Sequence, residues 1–489
     1  MRRSQIHRRI AERAVAIYGN RENEIAAELA MHFEQSRDYK RSAKYLQQAA
    51  VNATRRFAYK EAVGLSRRGL KLLERVPDTA ERTCQELSLQ LTLGVPLIAT
   101  EGYAAPDVGN VYLKARGLCQ QLGETPDVSE VLWGLWTFHT LRAELGIARE
   151  IAQEFLSLAE RLPYPGLAMR GHWALEINFM HLGEFDQTME HFEKATSLYD
   201  PERHLDDAVL YAQDPGVAMP CFSAWALWFL GQPDQALIRI SEALSLARKL
   251  SEPHCLAHAL CFAAILHQLR REERLAQEHA EAAIAVSREH GLVLYQAMAT
   301  VTLAWALAKQ GRQEVPIEQM RNGIAAHQGT GTQLLLPHFY ALLVEALDKT
   351  GHVEERLCIL DEALAMVRRN GECYYQAELF RLKGDLLFRQ SVDQGVSQAT
   401  VSRKNVVEAE LPPTFAAAEH CFIQSIQIAQ RQKAKSLELR AVMSLAHLYQ
   451  EQCKQQEARG LLAQIYDTFT EGFDTVDLRE AKALLHELS

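Results

Sequence analysis

One interval constrains this chain more than any other feature. Between Ala218 and Gln390 a small or compact residue returns every 40 positions, at Ala224, Ala264, Ala304, Val344 and Gly384. A second set keeps the same interval further along each unit, at Ala243, Ala283, Gly323 and Ala363. Gly231, Gly311 and Gly351 stand where the chain reverses between the two, with Arg271 replacing glycine in one unit. Two antiparallel helices cross closely only where small side chains meet, with larger ones filling the gaps beside them. A fixed interval of such pairs is the sequence signature of a stacked helical array. We therefore expect an all-α, right-handed solenoid of antiparallel hairpins running from about Arg2 to Leu488.

The unit from Leu175 through Phe179, Gly183, Phe185, Phe192 and Ala195 spells the tetratricopeptide pattern most openly. The repeat here is some six residues longer than that 34-residue unit, about three per helix, or roughly 4.5 Å. The array is thus expected to be a broad relative of the tetratricopeptide repeat. Residues 1–76 form its N-terminal helices, with an Arg-rich amphipathic helix over Arg2–Tyr18 and Asn23 as a cap for the next. Residues 77–216 hold less regular hairpins, in which Pro96 interrupts a helix that starts near Glu81. The regular repeats occupy 217–390, a Ser-, Val-, Gln- and Thr-rich flexible insert 391–413, and the last repeats and a closing helix 414–489.

Composition excludes several function classes. The net charge of −9 is dispersed, without the basic block that nucleic-acid binding requires. No apolar run is long enough to span a bilayer, and the N-terminus lacks the apolar core of a signal peptide. Nine scattered cysteines read as reduced thiols. A cytoplasmic protein without nucleic-acid or membrane partners is expected. No nucleophile elbow or catalytic triad pattern is present, so no enzymatic role is expected.

Three motifs invite a ligand. Asp200, Glu202, His204, Asp206, Asp207 and Asp214 gather in one connector and could supply oxygen ligands to a cation. Asp200–Pro201 and Asp214–Pro215, however, have the form of a helix cap followed by proline at the first helical position. His254, His258 and Cys261 share one helix face at a spacing that suits zinc, but a fourth ligand is missing and burial explains them as well. Gly329–Thr330–Gly331–Thr332 is too short for a phosphate loop and falls where a turn is due. No metal or cofactor is expected.

The chain's phrases also carry a family likeness. His32–Phe33–Glu34 with Arg37–Asp38–Tyr39, Gly102–Tyr103–Ala104–Ala105–Pro106, Gln213–Asp214–Pro215–Gly216, Arg381–Leu382–Lys383–Gly384 and Glu471–Gly472–Phe473–Asp474–Thr475 are the phrases concerned. Together they resemble the C-terminal tetratricopeptide-like region of bacterial AAA/STAND-type signalling ATPases, which are often fused to class III adenylate or guanylate cyclases. The resemblance implies a sensor or scaffold that regulates such an ATPase or cyclase. No Gly-Lys pair exists in this chain, so the phosphate-binding loop of those ATPases is absent and ATP chemistry is not carried over.

In such arrays the first helix of each hairpin lines the concave face. The 40-residue register then aligns Trp225, Ile265, Trp305, Glu345 and Asp385 along one inner wall. Ala218, His258, Met298, His338 and Glu378 form a second row, and Cys221, Cys261, Val301, Ala341 and Arg381 a third. Trp228, Gln268, Ala308, Asp348 and Phe388 make the fourth. The expected groove binds through Trp225, Trp228, His258, Trp305, His338, Glu345, Arg381 and Asp385, aromatic at one end and charged at the other. It suits a peptide or protein partner, such as a separate or upstream NTPase. Two other roles fit the same array: a small-molecule sensor of the maltose-regulator type, and a structural module that forms homo-oligomers.

Overall fold

In the computed structural model, residues 2–123, 127–162, 166–200, 213–312, 314–347, 353–401 and 413–489 are described; all the regular structure among them is helical. Two rows of helices result. The inner row runs through Tyr39–Arg55, Ala80–Glu101, Val128–Leu141, Leu167–Leu182, Pro215–Phe229, Pro253–Leu269, Val293–Lys309, Leu336–Ala346, Gln376–Val401 and Lys435–Glu451. Each packs against the next inner helix and against the outer helix that follows it in sequence. Val476–Glu487 closes the stack.

The two rows differ in how their side chains are buried. The outer helix Glu273–His290 buries Ala276, Ala280, Ala283 and Ser287, a single stripe at helical spacing. The inner helix Pro253–Leu269 buries every residue from Ala257 to Leu269. A helix covered all round needs a second partner besides its own hairpin. That partner is the next turn of the superhelix. The Leu141 carbonyl accepts from Gln333 N (2.8 Å) and Leu334 N (3.1 Å), and the His181 carbonyl from Cys373 N (2.9 Å) and Tyr374 N (3.2 Å). Both pairs of partners begin 192 residues apart, close to five repeats of 40. Further on, Ser436 Oγ donates to Trp228 O (2.5 Å) and Arg440 Nη2 to Leu269 O (2.5 Å).

The family-like phrases turn out to hold these turns together. Glu471 Oε1 accepts from Asp234 N (2.9 Å) and Gln235 N (3.1 Å), capping the outer helix Pro233–Leu250 from the following turn. Gly331 has a φ of +81°, and a Cβ there would lie 2.4 Å from the Ala104 carbonyl oxygen. The turn on which it sits can approach the Gly102–Pro106 loop only as glycine.

Several local expectations change. Pro96 lies inside a helix that continues to Glu101, and its carbonyl accepts from Thr100 Oγ1. Asn23 caps nothing; it belongs to a 3-10 turn over Gly19–Ile25, and its carbonyl accepts from Asn52. The helix Tyr39–Arg55 packs both against the helix before it, Ala26–Gln35, and against Tyr59–Leu73 after it. In the N-terminal helix Ile6, Ile10 and Ile17 are exposed, so its apolar stripe is not covered. The stretch read as a non-helical insert is helical as far as Val401, an extension of Gln376–Val401; residues 402–412 lie outside the described part. Asp214 does cap its helix, accepting from Gly216 N at 2.8 Å, while residues 201–212, with the rest of the acidic connector's core, lie outside the described residues. No described helix is long and apolar enough to cross a membrane.

Candidate functional site: a charged cleft on the inner wall

Turn-on-turn packing decides which part of the inner wall is open. Over the inner helices from Val128 to Leu269 the following turn bonds to the inner wall. The inner faces of the hairpins from Val293 onward border a cleft of about 510 Å³. It is lined by Trp305 and Lys309, by Glu345, by Glu378, Arg381 and Asp385, by Arg440, Ser444 and His447, and across the opening by Arg271, Asp477 and Glu480.

The register brings four of the eight expected groove residues to this cleft: Trp305, Glu345, Arg381 and Asp385. The other four are enclosed. Trp225 is fully buried, stacked on Phe262 at 4.3 Å between ring centroids, and its Nε1 donates to the Phe262 carbonyl (3.1 Å). Trp228 lies under the Arg440 guanidinium, 5.0 Å from its ring centroid. His338 stacks on Tyr375 and bonds Tyr374 Oη (2.9 Å) and Gln268 Oε1 (2.8 Å), which uses both ring nitrogens. His258 bonds Gln213 Nε2 (3.1 Å) and sits 3.3 Å from Tyr295 Oη. A groove with an open aromatic end does not exist; the tryptophan wall is core. Asp348, from the fourth inner row, lies outside the described residues.

The cleft's charges are paired both within one helix, as Arg381 is with Glu378 and Asp385, and between repeats, as Glu345 is with Lys309. Trp305 Nε1 donates to Glu345 Oε2 (3.2 Å), which also meets Lys309 Nζ (2.9 Å). Burial pushes the Glu345 carboxyl up, but the Lys309 ammonium and these donors overcome it and hold the group down at about 2. Arg381 grips Glu378 with Nε and Nη2 (2.9 and 2.6 Å) and Asp385 with Nη1. Burial raises the Asp385 carboxyl against the pull of Arg381. Arg440 donates to Asp477 (2.8 Å), and Arg271 spans Asp477 (3.1 Å) and Glu480. Arg271 takes the left-handed turn conformation its sister repeats give to glycine, with φ of +60°. The exception in the repeat is therefore the residue that reaches across to the closing helix.

The zinc reading dissolves similarly. His254 Nε2 meets Tyr103 Oη (3.2 Å) and Cys261 Sγ donates to Tyr295 O (3.4 Å). No group of three metal-ligating residues occurs among the described residues. The sequence reading missed Arg271, Lys309, Arg440, Asp477 and Glu480. The one available signal was Arg271 standing in a glycine position.

No family model matches the chain. An uncharacterized protein of Rhizobium meliloti (strain 1021) is 22% identical over 427 residues. That alignment takes in 86% of this chain and 39% of the relative, so the chain spans about two fifths of the relative's length. Among solved structures, a Rap protein complexed with Competence and Sporulation Factor aligns at a TM-score of 0.51 and 13% identity, covering 80% of this chain and 98% of that one. A STAND protein with a tetratricopeptide repeat sensor from Pyrococcus horikoshii aligns at 0.34 and 11%, covering 96% and 74%. The paired helices and the likeness to the Rap protein fix the class: this is an all-α solenoid of antiparallel hairpins of tetratricopeptide-like kind.

Proposed function

We propose that this chain is the non-enzymatic sensor array of a larger signalling system and that it captures a peptide segment of a protein partner in the charged cleft. The observation that carries this reading is the cleft itself. It is of ligand size, open, and lined by fixed carboxylates and guanidinium groups of both signs beside the Trp305 ring. Both signs on one wall favour a segment that carries an acidic and a basic residue, because a ligand of one sign would leave the opposite charges desolvated and unmatched.

The finer reading, regulation of a signalling ATPase or nucleotide cyclase, is supported by the family-like phrases, and the relative's much greater length gives room for such a module. The partner would bias the array between more and less tightly wound states, since the closing helix and Arg271 form one rim of the cleft.

A displayed library of random peptides, selected on the full chain, tests the assignment. Enriched peptides should carry both charges, lose about tenfold or more in affinity between 50 and 500 mM salt, and bind Lys309→Glu at least tenfold more weakly. Enrichment of purely apolar peptides, no enrichment, or indifference to Lys309→Glu would remove the cleft as the site. Trp225→Ala and Trp305→Ala are unsuitable probes, because truncating a buried tryptophan costs about 3–5 kcal/mol of stability.

A further inference from the structure

A second, separate cavity lies on the superhelix axis, between the inner helices Val128–Leu141 to Val293–Lys309 and the turn over residues 330–335. The space open to the centre of a water molecule is about 70 Å³, against roughly 10–15 Å³ for a single water. Its walls are aromatic and aliphatic, and none of the lining residues is an acid, a lysine or an arginine.

Three fully enclosed side chains on this wall have a polar atom without a hydrogen-bond partner among the described residues, Thr140 Oγ1, His258 Nε2 and His327 Nδ1, whereas His181 Nδ1 faces the Glu372 carboxyl at 3.7 Å. Leaving three such atoms unmet around one small space is costly unless something meets them. Burial keeps the rings neutral, with His181 and His258 pushed down to about 3 and His327 to about 4. The hydrogen-bond partners fix two tautomers. His258 Nδ1 faces the Gln213 amide nitrogen, a donor, so Nε2 carries the proton and offers a donor to the cavity. His327 Nε2 faces the Leu334 carbonyl (2.9 Å), so it carries that proton and leaves Nδ1 as an acceptor. The indole nitrogen of Trp225 is already bonded elsewhere, so only its ring meets the space.

We propose that this cavity is a small-molecule site for a neutral, planar, single-ring ligand of cyclic-amide type, which offers a carbonyl acceptor to His258 Nε2–H and an N–H donor to His327 Nδ1. A charged ligand is disfavoured, because nothing in the wall balances a charge taken out of water. The Gln333 and Leu334 amides that bond Leu141 O belong to the turn that shuts the cavity. A ligand held between the two turns therefore stabilises their closure, by mass action on the closed form. This site does not depend on the cleft or on what occupies it.

The probe is 2-pyridone on the full chain, with benzene and benzoate as the uncharged apolar and the charged controls. Calorimetry and tryptophan fluorescence should show saturable binding of 2-pyridone, none of benzoate, and slower hydrogen exchange across 330–335 in the bound state. Thr140→Val removes one unpartnered hydroxyl at nearly constant shape, so it should melt no lower than the parent and bind at least tenfold more weakly. Lys309→Glu should leave 2-pyridone binding unchanged while it weakens peptides in the cleft. Absence of saturable binding, benzene binding as tightly as 2-pyridone, binding of benzoate, or exchange across 330–335 that the ligand leaves untouched would each overturn the site. Undiminished binding by Thr140→Val would do the same.

Discussion

Glu372 shows what a single residue reveals about this interior. Its side chain is enclosed, Oε1 accepts from Leu335 N (2.7 Å), and burial pushes its carboxyl up to about 8. In the unfolded chain the same group ionises near the ordinary glutamate value of 4.5. Between these values the folded state holds a proton that the unfolded state has lost, so the stability it contributes is full below 4.5 and declines as pH rises towards 8. Glu372→Gln keeps the acceptor for Leu335 N and removes the ionisation. We expect the variant to match the parent near pH 4.5 and to exceed it by about 1 kcal/mol or more at pH 8, read from urea midpoints across pH. Parallel curves for the two proteins would refute this account. Nothing in the sequence around Glu372 marks it as buried, since its enclosure comes from the turn of His181, 191 residues away.

At the scale of the element, the small residues of the 40-residue register act as the steric argument requires. Ala224, Ala264, Ala304 and Val344 are fully buried, as are Ala243, Ala283 and Ala363. Gly384 is the tightest of the series: a Cβ there would lie 2.5 Å from Phe422 Cε1, where Gln376–Val401 crosses Pro413–Gln432. Gly384→Ala should therefore destabilise the protein by roughly 1–3 kcal/mol despite its better helix propensity. Gly460, inside Gln455–Tyr466, has nothing within 4 Å of such a Cβ. Gly460→Ala should stabilise by about 0.5–1 kcal/mol. Denaturant midpoints of the pair decide it: equal shifts in the same direction would show that Gly384 is not a packing contact. Hairpins and their crossing points were thus legible in the sequence, because both depend on residues within one repeat of each other. Caps were less legible. Glu471 caps a helix that starts at Pro233, and no local pattern announces a cap supplied from 237 residues away.

The whole molecule is not a linear stack in which each repeat feels its neighbours alone. Hydrogen bonds and ion pairs join residues about five to six repeats apart, from Leu141 with Gln333 to Arg271 with Glu480 and Asp186 with Lys433. The exposed ion pairs among these contribute little by themselves; the buried carbonyls that would otherwise lack donors contribute more. Opening one turn must then open its partner. Native-state hydrogen exchange should give residues 137–145 and 330–337 the same protection and the same dependence on denaturant. Protection that differs more than about tenfold between the two segments would show that they open independently.

The division between sequence and structure follows from range. Period, helix pairing, small crossing residues and the aromatic-to-charged gradient of the inner register are written within 40 residues and were readable from the chain. Whether that inner wall faces solvent was not, because it depends on rotation summed over about five repeats until one turn meets the next. Tertiary structure alone turned Trp225, Trp228, His258 and His338 into interior, left Glu345, Arg381 and Asp385 at an open cleft, and buried Trp305 in the wall behind them. From Val293 onward the described residues place no later turn on the inner wall, and there its charged end borders an open cleft.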